Sequence, residues 1–410
     1  MTSEQCSFTS HVCWGWVVQE AVERLSPSSP PAKCASYRSL PSVAQLSKAA
    51  ARSRAGYALW RVELRGSVAW CTSTCLEHLD AKDALLTALQ EDEHARHCMP
   101  PTLLLAWNDE DAVATEAFIS THGTVMLKAA LGAGGFGLYL VSTARDCHAV
   151  MAAHAAKARA TEGFLAKILL DYGSVPRWSL QAKLSPVLVA GRKSQARAYV
   201  CCLEQGVAPK QEQDSKYQTS DVKGLLFIYE TLEIRLPLWR SSWSEANGEQ
   251  EQESPAVKLG PHEKEMYDYE EEICAGCEAR AYNSGRIKRD TERLLLTECP
   301  DLQHGAQEAV MFCLEAALGA LRRGILARIS DPCPGRLAVA GVDLLISRDP
   351  ITNELVAHIL ELNNNPAMPD PLKHKMTSLY RQHLVDFCHL QIALGLSGGR
   401  GDHTGFVKVP

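Results

Sequence analysis

The stretch Gly341-Val-Asp-Leu-Leu-Ile346, followed along the chain by Ile359-Leu-Glu-Leu-Asn363, decides the fold prediction. Each segment is a short apolar run of the kind that forms a buried strand, with single polar residues inside it. Asp343 stands mid-strand, where an unpaired charge is costly. Glu361 and Asn363 are two residues apart and therefore share one face of their strand. The pattern predicts two neighbouring strands with a polar face.

These two strands predict a metal site if they pair with each other. The turn-like stretch Asp349-Pro-Ile-Thr-Asn353 lies between them, as in a hairpin. Pairing would bring oxygen atoms of Asp343, Glu361 and Asn363 to one place. Oxygen ligands of this kind suit Mg²⁺, which binds carboxylate and phosphate oxygens together. Two polar strand residues and a turn asparagine, with no metal, would explain the same pattern.

A glycine-rich segment farther toward the N-terminus predicts a phosphate site. The strand-like run Thr124–Lys128 is followed by Ala-Ala-Leu-Gly-Ala-Gly-Gly-Phe-Gly137, and Gly137–Val141 resembles the returning strand of a hairpin. Backbone N–H groups of such a loop can close over phosphate oxygens, and Lys128 adds a positive charge. The segment matches neither GxxxxGK[ST] nor GxGxxG, the two common motifs of nucleotide-binding loops. A glycine hairpin without a ligand is the alternative interpretation.

The third constellation is basic. Gly191-Arg-Lys-Ser-Gln-Ala-Arg197 places three cations within seven residues and leads into a strand. Beside a phosphate site such cations can neutralise developing negative charge. In isolation a basic turn is usually a solvated surface feature.

Composition restricts the class of protein. The chain has 410 residues, 46% of them hydrophobic, and a net charge of −6, which argues against general nucleic-acid binding. No apolar run reaches the length of a membrane span, and the N-terminus lacks the pattern of a secretion signal. Cys274 and Cys277 form a single CxxC without further zinc ligands nearby, so free thiols are predicted. We expect a cytoplasmic enzyme.

The pattern along the chain divides it into parts. We predict an N-terminal lobe at 1–98, a central region with the glycine hairpin at 99–190, and a C-terminal region at 191–397. Within the last, 241–272 is rich in Glu, Gln, Ser and Pro and is predicted to be a mobile acidic surface insertion. Residues 398–410 are predicted to be a flexible tail. Other predicted elements are strands in 57–70, 178–184, 196–203, 224–229, 231–236, 338–346 and 355–362, and helices in 80–91, 144–160, around 310–321 and in 373–394.

The order of these motifs resembles that of tubulin tyrosine ligase and the tubulin tyrosine ligase-like proteins, from about Met99 to Pro369. The resemblance implies an α/β (α+β) ATP-grasp fold with mixed antiparallel sheets packed with helices and a smaller N-terminal lobe. It also implies ATP and Mg²⁺ as cofactors, and ligation of a free amino acid to a protein carboxylate through an acyl-phosphate. The implied acceptor is the acidic C-terminal tail of tubulin, with a cytoplasmic location associated with the cytoskeleton or a cilium or flagellum. A monomer without nucleic-acid or membrane partners is expected.

The resemblance also implies roles for particular residues. Arg197 and Arg235 are expected to be catalytic, and Asp343, Glu361 and Asn363 to bind the metal. A tail-binding basic surface is expected from Lys183, Arg192, Lys193, Arg286, Lys288 and Arg289. The residues expected to bind ATP are Lys128, Gly132, Gly135, Gly137, Gln181, Lys183 and Asn283.

The sequence departs from the family at three positions. Gln195 stands where the family has an aspartate, Gly134 where a basic residue is frequent, and Leu232 where a glycine is usual. The first change concerns the acid that orders the site around the arginine and the incoming amino acid. Two alternatives therefore stay open: a pseudoenzyme that binds tubulin or nucleotide, and an ATP-grasp ligase for a small molecule or another protein.

Overall fold

A computed structural model gives the structure of the chain and confirms the predicted α/β class, with antiparallel sheets packed against helices. The structure describes residues 6–10, 14–25, 34–36, 58–64, 67–72, 79, 81–105, 109–130, 137–160, 178–205, 224–237, 261–281, 291–302, 304–327, 335–364, 366, 368–369, 376–398 and 405–409.

The larger sheet has eleven strands within the described residues. Two long strands form its centre: β11 (Gln195–Glu204) pairs antiparallel with β16 (Arg336–Arg348), and β16 pairs antiparallel with β17 (Leu355–Asn364). The predicted pairing of the two motif strands is therefore confirmed. The other strands are β1 (Cys6–Ser10), β2 (Cys34–Ser36), β3 (Ala58–Leu64), β4 (Ser67–Thr72), β12 (Gly224–Tyr229), β13 (Glu233–Pro237), β15 (Thr291–Leu295) and β18 (Phe406–Lys408).

Apolar side chains on β11 point alternately to the two faces of this sheet, and both faces are covered by helices. Ala196, Ala198, Val200 and Cys202 enter one core, whereas Tyr199, Cys201 and Leu203 enter the other. A strand that is buried on both faces has a nearly continuous apolar sequence. Helices α2 (Lys82–Gln90) and α6 (Ala306–Ala327) cover the first face, and α1 (Gly15–Leu25) and α7 (Ser378–Ser397) cover the second.

The smaller sheet carries the glycine hairpin. Its five strands are β5 (Thr102–Leu105), β6 (Val125–Ala129), β7 (Leu138–Val141), β8 (Trp178–Ala182) and β14 (Arg280–Ala281). Helices α3 (Asp109–His122), α4 (Ala144–Ala160) and α5 (Pro261–Cys274) accompany it, and a two-stranded ribbon of β9 (Leu188–Val189) and β10 (Arg192–Lys193) follows.

Two predictions about organisation need correction. The segment 1–98 is no separate lobe in its described part, because β4 pairs with β16 and extends the large sheet. The tail at 398–410 contains β18, which pairs with β12 because Phe406 packs against the Tyr229 and Phe387 rings.

The acidic segment at 241–272 is also partly corrected. Residues 241–260 lie outside the described part of the chain, but residues from Pro261 onward form α5. Tyr269 and Ile273, one helical turn apart, are buried in the core of the small sheet. This apolar pair makes the end of the segment an integral helix rather than a surface insertion.

Among the helices that the structure describes, none is long and apolar enough to cross a membrane.

Candidate functional site

A row of charged residues crosses four strands of the large sheet. The register places Glu233 of β13 opposite Arg197 of β11, Arg197 opposite Asp343 of β16, and Asp343 opposite Glu361 of β17. Directly opposed residues in antiparallel strands point to the same face and have Cβ atoms about 4.5–5.5 Å apart. The sheet therefore brings four charges, distant in sequence, into one line.

Asp343 is the centre of this row. Its two carboxylate oxygens accept hydrogen bonds from Nε and Nη2 of Arg197 at 2.5 and 2.7 Å, and Arg235 Nη1 lies 3.6 Å away. Burial opposes the charged form, but Arg197 and Arg235 outweigh it and hold the pKa of Asp343 below its usual value. Asp343 is therefore a carboxylate, fixed in a bidentate pair.

Gly341 makes room for this pair. A Cβ atom at Gly341 would stand 3.2 Å from Cδ and Nε of Arg197 and 3.2 Å from Cβ of Pro366. Such distances are shorter than ordinary van der Waals contact. The glycine thus lets the Arg197 side chain lie flat across β16 toward Asp343.

The three residues predicted to bind metal lie together, as the sequence indicated. Nδ2 of Asn363 donates to Asp343 Oδ2 at 3.1 Å and to Glu361 Oε1 at 3.2 Å. Two carboxylates and one amide oxygen match the donor set that Mg²⁺ takes together with phosphate oxygens. Among the described residues, no group of three or more His, Cys, Asp or Glu is placed to hold a metal. The candidate magnesium site therefore needs Asn363 and a ligand's oxygens.

Lys128 and Gln181 meet on the neighbouring strands β6 and β8. Lys128 Nζ donates to Gln181 Oε1 at 2.5 Å, and both side chains are buried. Burial lowers the pKa of Lys128 to about 8, partly offset by the nearby charge of Glu361. The small sheet thus places a buried lysine beside the carboxylates of the large sheet.

Lys82 is a site residue that was not predicted from the sequence. It begins α2, its N–H donates to the carbonyl of Ala130, and its Nζ lies 3.4 Å from Glu361 Oε2. The helix was predicted, but its sequence holds no motif that marks this lysine. Only the packing of α2 between the two sheets shows that Lys82 faces the site.

A buried group of charges continues the site beyond Arg235. Arg293 of β15 stands opposite Arg235, and Glu233 is fully buried between them. Burial disfavours the charged form of Glu233, but Arg235, His383 and Arg293 outweigh it, so its pKa lies below the usual value. Glu233 and Arg293 carry no motif in the sequence and were not predicted.

Gly137 closes the glycine hairpin. It has a φ of 72°, its carbonyl accepts from the Ala129 N–H at 2.8 Å, and its own N–H donates to Glu270 Oε1 at 2.8 Å. Burial raises the pKa of Glu270 to about 7, although the bond to Gly137 opposes this. A carboxylate from α5 therefore anchors the end of the predicted phosphate loop.

Of the remaining predicted residues, three lie in the described chain and six lie outside it. Lys183 lies just past the end of β8 and is half-buried. Arg192, expected on a tail-binding surface, forms an ion pair with Glu292 at 2.9 Å, and Lys193 lies in β10. The structure does not describe Gly132, Gly135, Asn283, Arg286, Lys288 or Arg289.

The fold and the site define a mixed α/β protein with a charged cluster where two mainly antiparallel sheets meet. No family model and no curated protein matches the chain. Among solved structures it is similar to the C-terminal domain of K. lactis Pby1, described as an ATP-grasp enzyme interacting with the mRNA decapping enzyme Dcp2. That similarity has a TM-score of 0.49 and 12% identity, and covers 98% of each chain. At these values the likeness establishes no shared activity.

Proposed function

We propose that the chain is an ATP-grasp ligase that uses ATP and Mg²⁺ to join an amino acid to a protein carboxylate through an acyl-phosphate. The observation that carries the proposal is the convergence of Lys128, Arg197, Asp343, Glu361 and Asn363 from two sheets. The order of the motifs in the sequence, which resembles that of the tubulin tyrosine ligase-like proteins, supports it further.

The charges in the site suit a polyphosphate. Lys82, Lys128, Arg197 and Arg235 stand around Asp343 and Glu361, so cations outnumber the two carboxylates. This local excess of positive charge favours an anionic ligand. Lys128 and Lys82 would hold phosphate oxygens where the small sheet faces β17.

Arg197 and Arg235 would act on the transferred group. Their guanidinium groups reach Asp343 at 2.5 and 3.6 Å and can offset charge on the terminal phosphoryl oxygens. An oxygen of the acceptor carboxylate forms a bond to the terminal phosphorus of ATP. At the same time the bond between that phosphorus and the ADP oxygen breaks, and ADP leaves. The amine of the second substrate then bonds to the acyl carbon and loses a proton to solvent, while the bond from that carbon to the phosphate oxygen breaks and inorganic phosphate leaves.

Asp343, Glu361 and Asn363 would hold the magnesium ion. When bound, Mg²⁺ supplies positive charge that offsets the charge of the phosphate oxygens. The bidentate bond from Arg197 keeps Asp343 ionised and oriented. The bonds from Asn363 keep the two carboxylates together.

A tubulin tail as acceptor follows from the resemblance alone. It would put the protein in the cytoplasm, next to microtubules. The ion pair between Arg192 and Glu292 leaves that arginine less available to an acidic tail than the sequence suggested.

One observation favours a second candidate, a nucleotide-binding protein with little turnover. Gln195 lies opposite Arg235, so a neutral amide stands where the resembled family has an acid. A site without that acid can bind ATP and still order the amine poorly. This candidate predicts nucleotide binding without ligation.

The test is incubation of the protein with tubulin, ATP–Mg²⁺ and labelled tyrosine, glutamate or glycine in parallel. The proposal expects incorporation of one of them, and loss of incorporation in Glu361→Gln. Intact ATP binding with no incorporation supports the second candidate. An unchanged rate in Glu361→Gln contradicts the magnesium assignment.

A further inference from the structure

Glu233 is the most deeply buried charge in the described chain that the proposed mechanism does not use. Its side chain has no exposed surface, yet three basic side chains surround it. Arg235 Nη2 lies 3.7 Å away, His383 Nε2 3.9 Å and Arg293 Nη1 4.0 Å. Burial lowers the pKa of His383, so the two arginines are the permanent partners of this carboxylate.

The register explains why a negative charge is needed here. Arg235 and Arg293 face each other directly across β13 and β15, and like charges in that position repel. Arg197 lies on the next strand and adds a third guanidinium. Asp343 already has both oxygens bonded to Arg197. Glu233 is therefore the carboxylate that offsets the repulsion between Arg235 and Arg293.

Four residues of β11 and β13 form a square on one sheet face. Gln195 is opposite Arg235, and Arg197 is opposite Glu233. An acid at position 195 or at position 233 would therefore border Arg197 and Arg235, because positions 195 and 233 are the two corners diagonal to each other. This chain has its acid at the second corner.

We propose that Glu233 is a positioning residue: its buried carboxylate holds Arg235 and Arg293 so that Arg235 reaches Asp343 and the terminal phosphate of the nucleotide. The inference rests on the proposed function. It also explains how the site keeps an ordered arginine although position 195 is neutral.

The test moves the charge from one corner of the square to the other. Glu233→Gln is compared with the double variants Gln195→Asp/Glu233→Gln and Gln195→Asn/Glu233→Gln, the last being a neutral control of equal size. The measured quantity is the ratio of the ADP and ATP dissociation constants in Mg²⁺, because only ATP has the terminal phosphate. If Glu233 only supported the fold, Glu233→Gln would weaken the binding of ADP and of ATP equally.

We expect Glu233→Gln to lower this ratio about tenfold, the effect of losing the charge-assisted hydrogen bond that a positioned Arg235 would donate to the terminal phosphate. Gln195→Asp should restore most of it, and Gln195→Asn should not. An unchanged ratio in folded Glu233→Gln overturns the proposal, and so does equal behaviour of the two double variants. If Glu233→Gln does not fold, Gln195→Asp must restore folding where Gln195→Asn fails; two unfolded double variants also overturn it.

Failure of the proposed function gives a different result. In that case the wild-type protein itself does not bind ATP–Mg²⁺ and no ratio exists. The melting temperatures of the variants, measured without nucleotide, then test whether the charge of Glu233 positions the arginines. Recovery with Gln195→Asp and none with Gln195→Asn would still support the positioning role of the charge.

Discussion

Asp343→Asn should destabilise the protein far more than its small change in shape suggests. Asp343 is 3% exposed, and it neutralises Arg197 through two hydrogen bonds of 2.5 and 2.7 Å while Arg235 lies 3.6 Å away. The amide leaves two buried guanidinium groups without a neutralising charge at this point. Breaking a buried pair by removing one partner costs about 3–5 kcal/mol. We expect a loss of that size.

Glu361→Gln is the matched control, one strand away. The side chain of Glu361 is 31% exposed, and its ion pair with Lys82 spans 3.4 Å. Pairs with this exposure contribute less than about 1 kcal/mol because solvent screens them. The glutamine oxygen can still accept the hydrogen bond from Asn363. The two variants should therefore differ by at least about 2 kcal/mol in stability.

Urea unfolding followed by tryptophan fluorescence, at neutral pH and without nucleotide, measures this difference. Both variants should also bind ATP–Mg²⁺ at least about tenfold more weakly, since metal sites lose that much when even their supporting residues change. Equal unfolding midpoints for the two variants would refute the central charge-neutralising role of Asp343. A stable Asp343→Asn protein with normal ATP affinity would refute the whole site.

Three further predictions follow from the geometry. Because burial lowers the pKa of Lys128 to about 8, ATP affinity should fall as the pH rises through 8, and Lys128→Arg should remove that dependence in a binding titration from pH 7 to 9. The free energy of unfolding should rise between pH 8 and 10.5, because the unfolded chain then binds more protons than the folded chain. The pKa of Glu270 is raised to about 7, so its contribution to stability is present at pH 4 and is lost as the pH rises through 7. Glu270→Gln can still accept the hydrogen bond from Gly137 and should be more stable than wild type by about 1–2 kcal/mol at pH 8, but not at pH 4. Equal melting temperatures of the two proteins at pH 8 would contradict this prediction. Gly341→Val should displace Arg197 from Asp343, because the first added carbon already lies 3.2 Å from the Arg197 side chain, and lower ATP affinity about tenfold; calorimetric titration with unchanged affinity would count against the assignment.

Local patterns in the sequence predicted most of the elements. The helix predicted at 144–160 is α4, and the strands β6, β7, β12, β16 and β17 lie within a few residues of their predicted bounds. Period-two alternation also predicted that Glu361 and Asn363 share a face. These predictions succeeded because each depends on spacing within one element.

Predictions failed where a residue's partner comes from elsewhere in the chain. The C-terminal tail was predicted to be flexible, but Phe406 is buried by rings on β12 and α7. The acidic segment ends in a helix because Tyr269 and Ile273 complete the core of the small sheet. Neither partner set can be recognised from the local sequence.

By itself, the sequence determined the motif strands, the glycine hairpin and the residue types for a phosphate and magnesium site. The tertiary structure decided what those residues bind. Asp343 pairs with Arg197 because the register of β11 and β16 sets them opposite each other, 146 residues apart. Lys82 faces Glu361 because α2 packs between two sheets, and Glu233 is fully buried between Arg235 and Arg293. Strand register and helix packing are long-range properties, whereas periodicity reports only which face of an element is buried.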